Sequence, residues 1–324
     1  MNILVTGGAG YIGAHIVDSL CDLGFNVIVF DNLSSGFKEN LNPKSEFIFG
    51  DITNKNDLER VFSKYKINSI IHMAAFKSVG ESQGKTSKYT ENNIIGSLNL
   101  ISSAVNYNVE KFIFSSTAAV YGDPTTIPLD ESHQLKPINH YGYTKLYIEN
   151  YLKWISKIEP MKFISFRYFN AAGYTFKNNL IKYKEKNPEN LLPIVMEVAN
   201  KSRLKLEVFG DDYNTADGSC IRDYIHVLDL ADAHIKAISY LDTNDSSIIN
   251  LSTGIGCSVL DIIDIIEKSI GIKIDYKISS RRIGDPPILI STFNKAKELL
   301  NWNPKYSIDD IISSMWNIYK KELK

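Results

Sequence analysis

Short apolar runs alternate with longer segments of helical spacing along the first half of the chain. The runs lie at Ile3–Val5, Asn26–Phe30, Glu46–Phe49, Ser69–His72 and Phe112–Ser115. Each has the length of a buried strand, and the segments between them carry apolar residues three and four positions apart. Strands alternating with helices indicate a parallel sheet covered on both faces. We therefore predict an α/β fold with a Rossmann-type, doubly wound parallel sheet.

The regular alternation stops near Gly173. From Gly173 to Asn190 the chain is polar and rich in lysine and asparagine, which predicts a long loop. Beyond it we predict helices and strands of a smaller C-terminal α/β domain that binds the substrate: Leu192–Lys201, Leu206–Phe209, Ile248–Leu251, Leu260–Ile270 and Ile308–Lys321. The predicted sheet domain comprises residues 1–171 and about 218–247, and the smaller domain comprises about 172–217 and 248–324.

A glycine-rich turn follows the first strand directly. Gly8, Gly10 and Gly13 have the spacing that lets a backbone wrap the pyrophosphate of a dinucleotide. The helix that begins near Gly10 offers backbone N–H groups to an anion. The candidate cofactor contacts in this turn are Gly7, Gly10, Tyr11, Ile12 and Gly13.

An acidic residue ends the second strand. Asp31 lies about 20 residues beyond the glycines, where its carboxylate can accept hydrogen bonds from both hydroxyls of an adenosine ribose. A 2'-phosphate would meet like charge there, and the next residues, Asn32–Ser35, contain no arginine to receive it. The predicted cofactor is therefore NAD rather than NADP.

Composition narrows the possible partners. The 36 basic and 37 acidic residues give a net charge of −1, so no basic field attracts nucleic acid. The three cysteines are widely spaced and form no CxxC pair, and no His, Cys or Asp cluster has zinc spacing. No stretch reaches the roughly 18 apolar residues of a membrane span, and no leader precedes the first strand. We expect a cytoplasmic protein that binds no metal, nucleic acid or membrane.

Two sets of candidate reactive residues lie at the end of the fifth strand and on the helix that follows it. Tyr141 and Lys145, four residues apart on a predicted helix, share one helix face. A phenol with a pKa near 10 is a poor base, but a nearby ammonium and a nicotinamide cation both favour the phenolate. The fifth strand ends in Ser115, Ser116 and Thr117, whose hydroxyls can hold the reacting oxygen of a substrate.

Motifs along almost the whole chain resemble the extended short-chain dehydrogenase/reductase family, and within it the UDP-glucose 4-epimerases. The segments that carry the resemblance are Val5–Gly13, Asp31–Leu33, Gly50–Ile52, Lys77–Ser82, Phe114–Thr117, Val120–Asp123, Arg167–Asn170 and Ile221–Val227.

The resemblance implies inversion of C4 of a UDP-hexose with NAD. The Tyr141 phenolate would take the proton of the 4-hydroxyl while the C4 hydride passes to NAD, and the 4-keto sugar would turn before the hydride returns. Lys145 would assist, and Thr117 would take the place of the family's catalytic hydroxyl, usually a serine, with Ser116 as the alternative.

The same matching implies further contacts. Besides the glycine turn, the implied cofactor contacts are Asp31, Asn32, Asp51, Ile52, Phe76, Lys77, Asn92, Ser115, Tyr141, Lys145 and Tyr168. The implied substrate contacts are Lys77, Thr117, Tyr141, Asn170, Asn190, Leu191, Arg222, Arg282, Asp285 and Leu289.

Other activities remain open at this point. The related 4,6-dehydratases carry an Asp-Glu pair where this chain has Ala118 and Ala119, so dehydration would lack its general acid. A UDP-uronate decarboxylase or epimerase needs only the ketone intermediate and a changed sugar pocket. A catalytically silent NAD-binding protein also fits the fold alone, although Tyr141 and Lys145 argue against it.

The resemblance also bears on substrate breadth and assembly. A family position that limits room around the sugar 2-substituent is occupied by Leu289, which leaves more space than a tyrosine would. We therefore expect N-acetylated UDP-hexoses to be accepted as well. Family members are often homodimers that pair the helix after Ser87 and the helix bearing Tyr141, and we expect the same here.

Overall fold

A computed structural model of the chain describes residues 1–177, 184–186, 188–282 and 284–322. Part of the predicted 173–190 loop and Ile283 lie outside the described residues. The strands are β1 (Asn2–Thr6), β2 (Asn26–Asp31), β3 (Glu46–Phe49), β4 (Ser69–His72), β5 (Lys111–Thr117), β6 (Lys162–Tyr168), β7 (Asn170–Ala172), β8 (Leu206–Phe209), β9 (Ile221–His226), β10 (Ser247–Leu251), β11 (Gly256–Ser258), β12 (Tyr276–Ser279) and β13 (Ile288–Leu289).

Helices follow most of these strands. They are α1 (Tyr11–Asp22), α2 (Lys55–Lys64), α3 (Val79–Gly84), α4 (Thr86–Tyr89), α5 (Ser97–Asn106), α6 (His140–Ile158), α7 (Leu191–Ala199), α8 (Val227–Thr243), α9 (Val259–Ile270), α10 (Asn294–Leu300) and α11 (Ile308–Tyr319). A π-helical stretch (Thr90–Gly96) joins α4 to α5, and 3₁₀ turns lie at Lys38–Asn40, Ala118–Val120 and Lys320–Glu322. None of the helices within the described ranges is long and apolar enough to cross a bilayer.

The large sheet has seven strands in the order β10-β6-β5-β4-β1-β2-β3, all paired in parallel. The chain runs outward from β1 to β3 and then crosses back to β4, so the order reverses between β1 and β4. A ligand of such a sheet binds at this reversal, beyond the carboxyl ends of the strands. The predicted α/β fold with a doubly wound parallel sheet is confirmed.

Apolar side chains fill both faces of this sheet. Along β1, Ile3 and Val5 join a cluster with α1, α8 and α10, whereas Leu4 joins a cluster with α2, α5 and α6. Alternate residues of a strand point to opposite faces, so one continuous apolar run supplies both layers. The two layers hold the strand ends at one common edge.

A second set of elements packs beside the large sheet. Strand β9 pairs with β7, β11 and β13 in a small mixed sheet, and β8 pairs with β12. Helices α7, α9 and α11 share one apolar core with β8 and Tyr224 of β9.

Two strands do not lie where the sequence places them. The run Ile248–Leu251 is predicted in the smaller domain, but β10 pairs with β6 at the edge of the large sheet, so the boundary at 248 is wrong for this strand. Its Ile249 and Leu251 are fully buried in the core of that sheet. Conversely, β9 falls in the interval 218–247 predicted for the large sheet, yet it pairs within the small one. A short apolar run signals burial but not the identity of its pairing partner.

Candidate active site

The glycine turn lies between the ends of β1 and β4, and Gly7 and Gly13 in it have no room for a side chain. Gly7 has a φ of +71°, and a Cβ there would lie 2.5 Å from the backbone nitrogen of Ala74. A Cβ on Gly13 would lie 2.3 Å from the carbonyl oxygen of Gly7. Helix α1 begins directly behind this turn, and its first intrahelical bond runs from the N–H of Ala14 to the oxygen of Gly10 (2.9 Å). The preceding N–H groups therefore face the turn, as a site for a pyrophosphate requires.

Tyr11 and Ile12 contribute to this turn through their backbone. The Tyr11 hydroxyl donates a hydrogen bond to the carbonyl oxygen of Gly173, and its ring meets His15 edge-on. Ile12 packs against the apolar core of the large sheet. Both side chains thus have partners within the protein, and we expect these two residues to contact a cofactor through their N–H groups.

Asp31 is fixed at the end of β2 by two backbone donors. Its Oδ2 accepts from the N–H of Ala9 (2.9 Å) and its Oδ1 from the N–H of Leu33 (2.7 Å). Burial raises the pKa of this carboxyl, and the two hydrogen bonds oppose the rise. Each carboxylate oxygen keeps a further lone pair for a ribose hydroxyl. The glycine cradle and this carboxylate together fit an NAD molecule.

The predicted adenine-side residues continue the same rim of the sheet. The Asn32 side-chain amide donates to Asp51 Oδ2 (2.7 Å), so the ends of β2 and β3 are joined. Ile52 is buried, and a Cβ on Gly96 would lie 2.7 Å from its Cγ1. Ile52 therefore packs against the helical segment that leads into α5.

Asn93 is a site residue that sequence reasoning missed. Its amide holds the backbone of Phe76 on both sides, accepting from the N–H (2.9 Å) and donating to the oxygen (2.9 Å). It also donates to Thr144 Oγ1 (3.3 Å) on α6. The predicted Asn92 donates to Asn93 Oδ1 (2.9 Å), so it supports this clamp. Only the adjacency of two asparagines marks Asn93 in the sequence.

The reactive groups meet where α6 begins beside the end of β5. A Cβ on Gly142 would lie 2.5 Å from the carbonyl oxygen of Ala119, so this glycine lets the helix approach the strand end closely. The Thr117 side chain lies close enough to the Tyr141 hydroxyl to lower its pKa. Lys145 Nζ donates to the carbonyl oxygen of Ser115 (2.7 Å) and lies 6.0 Å from the centroid of the Tyr141 ring. The structure thus brings together the three predicted catalytic side chains.

Tyr168 closes this group from the neighbouring strand. Its hydroxyl donates to Ser115 Oγ, and its ring is almost fully buried at the end of β6. Ser115 therefore holds Tyr168 through its side chain and Lys145 through its backbone oxygen.

Desolvation governs the protonation of both groups. Burial raises the pKa of Tyr141 to about 12, against the lowering effect of Thr117. Burial lowers the pKa of Lys145 to about 7. Burial thus opposes the charged form of both groups, whereas an ammonium and a nicotinamide cation beside Tyr141 would together favour its phenolate.

Ser116, the alternative to Thr117, points to the other face of β5. Its hydroxyl donates to Glu149 Oε1 (2.5 Å) and is fully buried. Because neighbouring residues of a strand face opposite ways, Ser116 cannot reach the group around Tyr141. The assignment of Ser116 as the alternative is therefore wrong on geometric grounds.

Arg222, Asp285 and Leu289 lie together at the edge of the small sheet. Arg222 Nη1 donates to the carbonyl oxygen of Ile221 (2.9 Å), and its Nη2 lies 3.7 Å from Asp285 Oδ1. Leu289 pairs in register with Arg222 and packs against a cluster that contains Ala118 and Phe169. This cluster joins the predicted sugar-side residue to the strand that ends in Thr117.

Arg282 is exposed, and its guanidinium carbon lies 4.0 Å from the centroid of the Phe209 ring. Sequence reasoning did not single out Phe209, which is the last residue of β8. An exposed guanidinium beside an aromatic ring suits a planar base or a charged phosphate.

The other predicted substrate contacts lie around the junction of the two sets of elements. Asn170 begins β7, Asn190 precedes the first turn of α7, and Leu191 begins that helix. Lys77 forms an ion pair with Glu185 and is half exposed. Lys77 is thus engaged with a residue that the sequence analysis did not consider. No cluster of three or more His, Cys, Asp or Glu residues that suits a metal occurs in the described part of the chain.

Comparison with known proteins gives one consistent family. Residues 3–252 match the model of the NAD dependent epimerase/dehydratase family. A UDP-glucose 4-epimerase of Halalkalibacterium halodurans is 43% identical over 99% of this chain and 96% of its own length.

Solved structures agree with this result. The UDP-glucose 4-epimerase of Bifidobacterium longum in complex with NAD⁺ and UDP is 37% identical, with a TM-score of 0.95 over 99% of this chain and 98% of its own. The UDP-Glc/GlcNAc 4-epimerase of Campylobacter jejuni is 39% identical, with a TM-score of 0.85 over 99% of both chains. These proteins are similar to this chain along nearly its whole length.

Proposed function

Because this chain belongs to the NAD dependent epimerase/dehydratase family, we propose that it inverts C4 of a UDP-hexose and interconverts UDP-glucose and UDP-galactose. The observation that carries the proposal is that Tyr141, Lys145 and Thr117 lie together at the edge of the large sheet that also carries the glycine turn. The full-length similarity to UDP-glucose 4-epimerases supports the same activity.

Bound NAD supplies the acceptor that takes a hydride from C4 and later returns it. Tyr141 takes the proton of the 4-hydroxyl and returns it to the same oxygen after C4 has been inverted. Thr117, beside Tyr141, would hold the reacting oxygen. Lys145 donates to the oxygen of Ser115 and would have two further donors for the nicotinamide ribose. Because the hydride returns to the sugar, the reaction would consume no NAD, and we expect activity without added NAD when the purified protein retains the cofactor.

Dehydration is disfavoured by the residues that follow Thr117. Ala118 and Ala119 form the 3₁₀ turn at the end of β5, and Ala118 is buried against Leu289 and Phe169. Neither methyl group can protonate a departing hydroxyl, which elimination of water requires. Elimination of water from the 4-keto sugar therefore lacks its general acid at this position.

The test is an incubation of the purified protein with UDP-glucose, UDP-N-acetylglucosamine and UDP-glucuronic acid in separate reactions without added NAD, followed by chromatography. We expect the galacto epimer of UDP-glucose. A pentose product with carbon dioxide would replace the proposal with a decarboxylase, and the absence of any product after addition of NAD would replace it with a silent binding protein.

We further propose that N-acetylated UDP-hexoses are substrates. Leu289 is half-buried beside Ala118 and Phe169, and a tyrosine there would extend further toward the sugar. We expect Leu289→Tyr to lower turnover of UDP-N-acetylglucosamine relative to UDP-glucose by about 10–100-fold, because a pocket change of this size alters binding by a few kcal/mol. The measurement is kcat/KM for both sugars, with Leu204→Tyr, at an exposed loop position, as the control. An unchanged ratio would remove Leu289 as the determinant.

The protein is also proposed to form a homodimer through α6. Tyr143, Tyr147, Trp154 and Ile158 are exposed on one stripe of this helix, and the exposed Ile95 lies on the adjacent π-helical stretch. A contiguous apolar stripe of this kind is typical of a helix that packs against a second copy. Tyr141 and Lys145 face away from it, into the site.

Light scattering during size-exclusion chromatography tests the dimer. We expect the wild type to elute at twice the chain mass and the double variant Tyr147→Glu, Trp154→Glu at the chain mass, because charges cannot be buried unpaired between two helices. Leu204→Glu, a charge at an exposed leucine elsewhere, serves as the control. A monomeric wild type at micromolar concentration would contradict the assignment.

A further inference from the structure

A buried hydrogen-bond network connects α6 to the segment that carries Leu289. At its centre is the hydroxyl of Tyr121, which follows the 3₁₀ turn after β5. This oxygen accepts from Arg167 Nη1 (3.0 Å) and donates to Asn250 Oδ1 (2.7 Å). A phenol has one proton to donate, so the donors and acceptors are fixed in order: Arg167 donates to Tyr121, and Tyr121 donates to Asn250.

On one side, the network holds the helix of the reactive groups. Arg167 donates from Nε to Glu149 Oε1 (2.9 Å) and from Nη2 to Glu149 Oε2 (2.6 Å). Glu149 lies one helical turn after Lys145 on the same face of α6. Ser116 also donates to Glu149 and directly precedes Thr117. This ion pair therefore joins α6 to the two strands whose ends carry Thr117 and Tyr168.

On the other side, the network holds the Leu289 segment (Asp285–Ser291). Asn250 Nδ2 donates to Ser291 Oγ (2.8 Å), and Ser291 Oγ donates to the carbonyl oxygen of Leu129 (3.0 Å). The Leu289 segment is also bonded to the strand of Arg222: Leu289 pairs with Arg222, and the N–H of Ile221 donates to the carbonyl oxygen of Pro287 (2.8 Å). The segment is thus tied both to Tyr121, through Ser291 and Asn250, and to the strand of Arg222.

Burial makes this arrangement specific. Glu149, Asn250 and Ser291 have no solvent exposure, and Arg167 and Tyr121 are only 2% exposed. A buried ion pair seldom adds net stability over apolar residues of the same volume. A buried network in which every polar group is hydrogen-bonded instead favours one geometry. Any other geometry would leave a buried polar group without a hydrogen-bond partner, which costs free energy.

We propose that Tyr121 is a positioning residue of the C4 inversion: its hydroxyl couples the helix of Tyr141 and Lys145 to the Leu289 segment, which faces the sugar. This role rests on the proposed function. Loss of the hydroxyl frees both Arg167 Nη1 and Asn250 Oδ1, so the two halves of the site can shift relative to each other. The ring of a phenylalanine preserves the packing.

The test compares Tyr121→Phe with Tyr319→Phe, which removes the hydroxyl of a buried tyrosine on α11, away from the site. We expect Tyr121→Phe to lower kcat by about tenfold with KM changed less than twofold, since such a residue acts on alignment rather than on binding. Hydrogen exchange, which needs no turnover, should become faster in both the 140–149 and 285–291 peptides of Tyr121→Phe. Tyr319→Phe should leave both peptides and kcat unchanged.

A second comparison tests the connection itself. Ser291→Ala cuts the network beyond Asn250, and the double variant with Tyr121→Phe should lose no more kcat than the more impaired single variant, because both interrupt one path. Multiplicative losses, or faster exchange in only one of the two peptides, would overturn the coupling. An inactive wild type would refute the proposed function, and the exchange data would still decide whether Tyr121 couples the two segments.

Discussion

Replacement of Tyr141 by phenylalanine is expected to lower kcat by about 10²–10⁴-fold, the typical contribution of a positioned general acid or base. The hydroxyl is the only atom lost, and it is the group that contacts Thr117 at the end of β5. The glycine turn and Asp31 lie at other strand ends and do not depend on it. Bound NAD should therefore remain, as measured by its release from the heat-denatured protein.

Tyr107→Phe provides a matched control, because its hydroxyl contacts Glu59 at the protein surface. It should retain the activity of the wild type. If Tyr141→Phe epimerises UDP-glucose at a comparable rate, Tyr141 is not the base and the proposed site is wrong.

Gly13→Ala is expected to remove the bound cofactor, and with it activity in the absence of added NAD. Its Cβ would lie 2.3 Å from the oxygen of Gly7 and 2.8 Å from the Cα of Gly8. Both contacts are with backbone atoms, so a side-chain rotation cannot relieve them. The turn itself has to move away from α1. We expect the affinity for NAD to fall at least about 100-fold, equivalent to roughly 3 kcal/mol, measured by titration calorimetry on the cofactor-free protein.

The control for this change is Gly84→Ala at the end of α3, where a Cβ would meet nothing within 4 Å. NAD binding should be the same in this variant as in the wild type. Unchanged affinity in Gly13→Ala would show that the turn does not form the pyrophosphate site.

The sequence predicted five of the seven strands of the large sheet, β1 to β5, because they are short apolar runs bounded by turns. The bounds of β3 and β4 agree to the residue with the predicted runs. The positions of β9 and β10 were not predictable in the same way, because pairing depends on contacts with strands far away in the chain. Tertiary contacts, rather than local preference, decide which sheet such a strand joins.

The reactive groups were visible because their relation is local. Tyr141 and Lys145 are one helical turn apart, and alternation along β5 separates Thr117 from Ser116. The Asn93 clamp and the Tyr121 network were not visible, because their partners lie 17 to 129 residues away. Only the folded chain shows that Glu149, an unremarkable helix residue, meets Arg167.

The most direct test of the account follows the hydrogen at C4. UDP-glucose carrying deuterium at C4 is incubated with the protein in ordinary water, and the UDP-galactose formed is analysed by mass spectrometry and NMR. Reversible hydride transfer within the site predicts that the deuterium remains at C4 of the product. Loss of the label to solvent would mean that C4 is inverted by removal of a proton, which would contradict the roles given to NAD and Tyr141.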